Sequence, residues 1–431
     1  MPVEFDRPSA PILKYYLYVA TGAAWFIVPV WTLFLLEQGL SFTEVSVLNA
    51  AWWLATVLGE VPTGFVGDRI GRRNSLLLGS AASALAVVTF GRLSSFLPIL
   101  AVYLVWGVGT TFRSGAEGAW LYDTLREETD EEEFTRIKGR GSAIRLGVMA
   151  VSALGGGYLA GVDMYLPFLA TGVAVALGGA VAATMPKNRA YRAECRGDDR
   201  AADCPDADDF GPREAVPVIR DTLLAPPLRS FVVAVAAFYG VAWSVGMYTQ
   251  PIAEDLALGW GMAEADLTGM LGWLYAGFSG VAALVTFNAD RLERAIGPRI
   301  WVRVAPALLG VAFLASALVP PLAIPAFFLM RALLNATDVF KERFVNDHAD
   351  SVGRATVLSA TSMLLGLARV PFRLVSGAVG DLTSPLTAVG IAGGVLVAGA
   401  VAVVVAFGTG RDVCAGEDAP AVCSVVGARG G

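Results

Sequence analysis

Charge is scarce in this chain. Asp, Glu, Lys and Arg make up 16% of its 431 residues, while hydrophobic types reach 55%, against about 25% charged residues in a soluble globular domain. With a mean hydropathy of +0.60, that composition excludes an ordinary water-soluble domain and implies a chain immersed in lipid. Histidine is scarcer still. The single one, His348, falls in a segment expected to be a solvated loop, so no histidine-based metal centre or general base can be assembled, and no enzyme activity is expected. The cysteines, Cys195, Cys204, Cys414 and Cys423, form two C-x8-C pairs that lack the tight knuckles of a structural zinc site. They are read as free thiols in cytoplasmic segments. Neither a metal nor a cofactor is expected. No G-x-x-x-x-G-K-[ST] phosphate loop appears, which leaves ATP-driven transport without a sequence basis. Period-2 alternation of the kind a membrane barrel needs is also missing. The N-terminal "MPVEFDRPSAP" has no basic stretch of the kind that opens a secretory leader, so the first apolar run is expected to stay.

Long apolar runs are what the chain has instead. Twelve are read, at roughly 15–37, 44–67, 75–93, 97–121, 141–161, 165–185, 230–252, 266–289, 300–319, 322–340, 355–380 and 384–407. Each is near the 20 or so residues that cross a bilayer as a helix, and unsatisfied backbone groups are too costly in hydrocarbon for anything but helices here. The fold class is therefore an all-α membrane protein of twelve transmembrane helices. Of the 32 lysines and arginines, only Arg92 falls on one side, and five, Arg113, Arg145, Arg331, Arg369 and Arg373, fall within spans. The rest share the side of both termini, so the positive-inside rule places residues 186–229 and both ends in the cytoplasm of a multi-pass plasma-membrane protein. Residues 186–229, with "AECRGDDRAADCPDADDFGPRE", read as an acidic, solvated linker. The organisation expected is a six-helix bundle over 1–185, that linker, a second bundle over 230–407, and a flexible tail over 408–431.

The halves repeat each other. "GDRIGRR" (67–73) aligns near "ADRLERAIGPR" (289–299), Arg113 of "RSGAEGAW" near Arg331 of "RALLNATD", and "GRGSAIR" near "GRATVLS", all in order and at nearly one offset. Such a repeat is expected of a transporter whose halves enclose a midplane site.

The first of those segments carries a resemblance. Gly64, Asp68, Arg69, Gly71, Arg72 and Arg73 of "GFVGDRIGRRNSLLL" match the G-x-x-x-D-R-x-G-R-R pattern of the major facilitator superfamily, in the turn between the second and third of twelve helices. Asp290 and Arg291 begin the degenerate second copy, where Glu293 departs from the pattern. The resemblance covers essentially the whole chain and implies two bundles rocking around a central cavity, with this turn acting as a gate latch. Asp68 is expected to face the N-terminal end of a helix in the other half, starting near Val352. Bases that merely enforce topology are the plainer reading of Arg72 and Arg73.

Charges inside spans need a reason, because each costs at least about 2.5–3.5 kcal/mol near the bilayer centre. Arg113 and Glu117 are four apart on helix 4, able to pair; Arg331, Asn335 and Asp338 form one stripe on helix 10. In this superfamily those helices help line the cavity, and Arg113 resembles the helix-4 arginine of many drug:proton antiporters. Glu117, tuned by Arg113, is the expected proton carrier, with Glu60 of "GEVPTG" as second choice and Pro62 expected to kink helix 2. Fixed ion pairs that hold register are the competing reading of Arg113 with Glu117 and of Arg331 with Asp338. Arg369 and Arg373 flank Pro371 on helix 11 and could face acids or bind an anionic group.

Trp243 is the leading substrate-binding aromatic, with Tyr239, Trp25 and Trp120 beside it and Tyr122 and Tyr248 further candidates. Ordinary packing is the plainer reading of any one of them. Helix 5, "GVMAVSALGGGYLAG", resembles the glycine-rich antiporter pattern of the superfamily's exporters, with Gly157 where that pattern has proline. The expectation is a monomeric, proton-coupled exporter of small amphiphilic compounds, whose partners are its substrate, protons and lipid, with no nucleic acid. The alternative is an importer or uniporter of a small organic anion held by Arg331, Arg369 and Arg373. What separates the two is whether those arginines are paired with acids.

Overall fold

A computed structural model of the protein describes residues 9–128, 133–187, 226–348 and 354–406. Within these the secondary structure is helical throughout. The expectations for the four cysteines, for most of 186–229, for the tail, and for the side chains of Asp68, Asp290, Glu293 and His348 fall outside the described residues.

The first apolar run is not one helix. It divides into α1 (Ala10–Ala23) and α2 (Trp31–Glu37). Pro29 lies between them, unable to donate a backbone hydrogen bond and disfavouring a helical Val28 before it. The second run is α3 (Phe42–Ile70), which passes through Pro62 unbroken, so the kink expected there does not interrupt it. Next come α4 (Arg72–Phe90), α5 (Phe96–Glu128), α6 (Glu133–Val162) and α7 (Leu166–Thr184). The seventh run is also jointed: α8 (Pro226–Val245), a 3-10 turn over Gly246–Tyr248, then α9 (Thr249–Gly259). It is followed by α10 (Glu264–Phe287), a short α11 (Ala289–Ile296), α12 (Pro298–Leu318), α13 (Ala323–His348), α14 (Arg354–Leu382) and α15 (Pro385–Ala406).

Ten of the helical segments are individually long and apolar enough to cross a membrane. The jointed first span and α3, which carries Glu44, Glu60, Asp68 and Arg69, complete the twelve. In the N-terminal half α4 packs on α5 and α7, and α3 on α5; in the C-terminal half α12 packs on α15, and α8 on α14. The halves meet where α6 crosses α10, where α3 lies along α14, and where α2 touches α9. The repeat shows in the backbone too: Gly71 and Gly297 open α4 and α12 at φ 88 and 68, a left-handed conformation that favours glycine.

The α6–α10 crossing explains the glycines of helix 5. A Cβ on Gly156 would run into the Phe26 carbonyl in the break of the first span, and one on Gly157 into the Thr268 carbonyl of α10. Backbone-to-backbone approach of this kind is how helices associate where lipid supplies no hydrophobic drive.

Candidate substrate site between the halves

Three arginines of the C-terminal half converge on Trp243. The Arg369 guanidinium carbon lies 4.9 Å from the ring of Trp53, 5.1 Å from Tyr239 and 5.0 Å from Trp243. Trp53 comes from α3, so this cage is built from both halves. Arg331 stands 5.8 Å from the Trp243 ring as well, and 5.3 Å from Phe278. Arg373 reaches the same residue through its backbone, Nη2 donating to the Trp243 carbonyl at 3.3 Å. The Nε atoms of Arg331, Arg369 and Arg373 are all buried without a hydrogen-bond partner. No described carboxylate pairs with any of the three. Cation–π contacts are worth roughly 0.5–2 kcal/mol each, so the rings hold these cations in place without neutralising them.

The N-terminal half has an aromatic wall of its own. Trp31 packs on Tyr103 at 5.2 Å and on Trp106 at 5.3 Å, and Trp25 and Trp52 join Trp106 at 5.6 and 6.3 Å. Two polar atoms of this wall, Tyr103 Oη and Trp52 Nε1, are buried and unpartnered. Trp25 spends its own N–H locally, donating to the Gly22 carbonyl at 2.8 Å.

Two acids of the spans, Glu117 and Asp338, are paired with other groups. Glu117 does not pair with Arg113, four residues away; it accepts from Arg145 of α6 at 2.8 Å. Arg113 instead donates through Nε to Tyr18 Oη at 3.2 Å, its guanidinium packed against Gly22, where a Cβ would collide with it. Nor does Asp338 pair with Arg331. It accepts from Tyr239 Oη at 2.7 Å and from Lys341 Nζ at 2.9 Å. Asn335 donates back to the Arg331 carbonyl at 2.8 Å, within its own helix. The side chain of Glu60 is exposed on α3. Trp120 is fully buried and donates to the Pro186 carbonyl at 3.2 Å, just past the end of α7.

Two further residues were not singled out by the sequence. Breaking the first span leaves the backbone N–H groups that open α2 without intrahelical partners. Gln250, from the other half, supplies the acceptor: its Oε1 takes Thr32 N at 2.7 Å and Leu33 N at 3.1 Å. Its Nε2 donates to the Val28 carbonyl at 2.8 Å and to Tyr275 Oη at 3.1 Å. Asp381, near the end of α14, does the same for α3, Oδ1 accepting from Phe42 N at 2.7 Å and Oδ2 from Thr43 N at 2.9 Å. Ser41 and Glu44 complete that helix start as a capping box. Ser46 with Met247, and Trp273 with Tyr158, add contacts between the halves. These bonds cluster at the end of the molecule away from residues 9 and 406.

At the opposite end, the residues of the "GFVGDRIGRR" turn divide among roles. Gly71 makes the reversal; Gly64 faces open space. Arg69 lies over the Phe65 ring at 4.1 Å, Arg73 has a buried Nε, and Arg72 is engaged. Arg291, in the second copy, donates to Asn288 Oδ1 at 3.3 Å.

Comparison with known proteins agrees with this architecture. An uncharacterized MFS-type transporter of Bacillus subtilis, YxaM, is 22% identical over 364 residues, covering 82% of this chain and 85% of that one. A cis,cis-muconate transport protein of Acinetobacter baylyi is 24% identical over 155 residues, 36% of this chain and 37% of the relative. Among solved structures, the nucleoside transporter NupG superposes with a TM-score of 0.72 at 12% identity, over 92% of this chain and 98% of that one. The family model of the Major Facilitator Superfamily matches residues 17–339, and the chain belongs to that family of membrane transporters.

Proposed function

We propose that this transporter carries a small organic anion by alternating access, binding it at Arg331, Arg369 and Arg373. One observation carries the reading: none of the three arginines is in salt-bridge contact with a described carboxylate, while Glu117 is matched by Arg145 and Asp338 by Lys341, Asp338 reaching Arg369 only at longer range. A substrate of negative charge supplies what these cations lack; a cationic amphiphile would add to their repulsion. The name of the Acinetobacter relative, a cis,cis-muconate transport protein, is in keeping with an organic anion. With both termini in the cytoplasm of the plasma membrane, the hydrogen-bonded end is the outer one, and this is the inward-facing state. A single protomer suffices, because both faces of the site come from one chain.

Among the described residues no carboxylate is in salt-bridge contact with the arginines, so the substrate charge crosses uncompensated and transport is electrogenic uniport. The membrane potential then contributes about 2.3 kcal/mol per charge per 100 mV. A second reading rests on the Glu117–Arg145 pair at 2.8 Å: protonation of Glu117 would release Arg145 and couple export to protons, with Arg145 in the part first given to Arg113.

The test is flux into proteoliposomes of labelled benzoate, fumarate, cis,cis-muconate and the cation tetraphenylphosphonium, with a potential imposed by potassium and valinomycin. Potential-dependent anion flux that Arg369→Gln removes supports the proposal. Flux of the cation alone, or anion flux that ignores the potential and is lost in Glu117→Gln, defeats electrogenic anion uniport.

A further inference from the structure

Resting on the anion reading, the burial of one tyrosine assigns a ligand contact to the N-terminal half. We infer that Tyr103 of α5 is a specificity-determining residue: its hydroxyl donates a hydrogen bond to the anion held at Arg373, so that one bound substrate ties the two halves together.

Packing accounts for the ring of Tyr103 but not for its hydroxyl. The ring lies 5.2 Å from Trp31 of α2, 5.2 Å from Phe90 of α4 and 5.9 Å from Trp106, three residues further along α5. The residue is 1% exposed and belongs to the apolar core of its half, with Ile99, Phe90 and Phe168. Phenylalanine would make every one of those ring contacts. What tyrosine adds is an oxygen that is buried with no hydrogen-bond partner among the described residues. A polar group left that way opposes folding. Rings from three helices nevertheless hold it in one place, which is how a binding group is kept ready for a ligand.

The hydroxyl lies in the electrostatic neighbourhood of the arginines although it comes from the opposite half. The charge that acts on Tyr103 is that of Arg373 on α14, and Arg373 in turn is acted on by Arg369, Tyr103 and Arg331. Arg373 spends one Nη2 hydrogen on the Trp243 carbonyl at 3.3 Å, while its Nε is buried without a partner. Each member of the pair thus has a polar hydrogen unspent. An anionic oxygen accepts from a phenol and from a guanidinium at once, and such charge-assisted bonds are the strong ones. Because Tyr103 and Arg373 belong to different halves, a ligand bonded to both is sensitive to how the halves sit. Occupancy is linked to rocking by that difference in contacts.

The experiment reads affinity and stability separately. Purified wild type, Tyr103→Phe and Tyr18→Phe in detergent are titrated with benzoate, fumarate and cis,cis-muconate, with the unfolding temperature as readout. At least one anion should raise the wild-type unfolding temperature, and Tyr103→Phe should bind that anion about tenfold more weakly. Without ligand, Tyr103→Phe should unfold at the wild-type temperature or above it, since the ring contacts stay and an unsatisfied hydroxyl goes. Tyr18→Phe sets the fall expected when a used hydroxyl is lost, because Arg113 Nε donates to Tyr18 Oη at 3.2 Å. An affinity loss under about threefold, or a ligand-free Tyr103→Phe as destabilised as Tyr18→Phe, overturns the Tyr103 inference and leaves the anion reading standing. If none of the three anions shifts the wild-type unfolding temperature, both fail.

Discussion

Asp381→Asn should loosen the contact between α14 and α3 by about thirtyfold in equilibrium terms. The Asp381 carboxylate caps the first two backbone N–H groups of α3, at 2.7 and 2.9 Å, while Ser41 takes the third from Glu44. Asparagine fits the same space but keeps one accepting oxygen and loses the charge facing the positive helix end. A hydrogen bond to a charged group is worth about 1.5–3 kcal/mol, and a charge at an exposed helix end about 0.3–1 kcal/mol. Because the contact is exposed to solvent, the lower part of that range applies, about 2 kcal/mol, where about 1.4 kcal/mol is a factor of ten. The assay is thiol labelling of Ser46→Cys with N-ethylmaleimide in a background where Cys195, Cys204, Cys414 and Cys423 are serine. Ser46 is 0% exposed and touches Met247 and Gly377 of the other half, so it reacts only when the halves part. While opening is rare, the labelling rate follows the open population, and Asp381→Asn should raise it about thirtyfold. A rate within twofold of the parent would refute the idea that Asp381 holds this end closed.

Other consequences are as direct. Glu117→Gln and Arg145→Gln should show a coupling of about 0.5–1 kcal/mol in a double-mutant cycle on unfolding, whereas Glu117→Gln with Arg113→Gln should be additive within about 0.3 kcal/mol; coupling in the second pair alone would contradict the geometry. Gly157→Ala puts a methyl into the Thr268 carbonyl, and should lower stability by about 1–3 kcal/mol, read as a drop in unfolding temperature with reduced transport. Trp120→Phe removes the bond to the Pro186 carbonyl and should cost about 1 kcal/mol with ligand affinity unchanged; lost affinity would place Trp120 in the site after all.

Much of the fold could be read from hydropathy, because each span must satisfy its own backbone and so announces itself as a long apolar run. The breaks in the first and seventh spans could not, since Pro29 signals a helix end but leaves open which group will serve the freed N–H groups. That group, Gln250, is a neutral amide in an apolar run, and only tertiary structure brings it to Thr32 and Leu33. The "SFTE" capping box marks the start of α3, yet Asp381 lies 339 residues from Phe42 in sequence. For the intramembrane charges, spacing along one helix does not give the partners. Helical spacing favours Arg113 with Glu117 and Arg331 with Asp338, but the antiparallel packing of α5 and α6 brings Arg145 to Glu117. Lys341 and Tyr239 reach Asp338 first. Trp243 and Tyr239 stand with the arginines, while Trp120 and Trp25 make other bonds; burial does not separate them, since Tyr239 and Trp120 are equally buried.

If Arg331, Arg369 and Arg373 take an anion from outside the chain, as proposed, that anion can be located at them. Locating a brominated anion by its anomalous scattering, with 5-bromoisophthalate bound to the crystallised protein, tests this most directly. A bromine peak is expected beside Trp243, with a carboxylate oxygen within hydrogen-bond distance of at least one of Arg331, Arg369 and Arg373. An experimental map in which a carboxylate of the chain itself fills that place, or a bromine peak found only elsewhere, would contradict it.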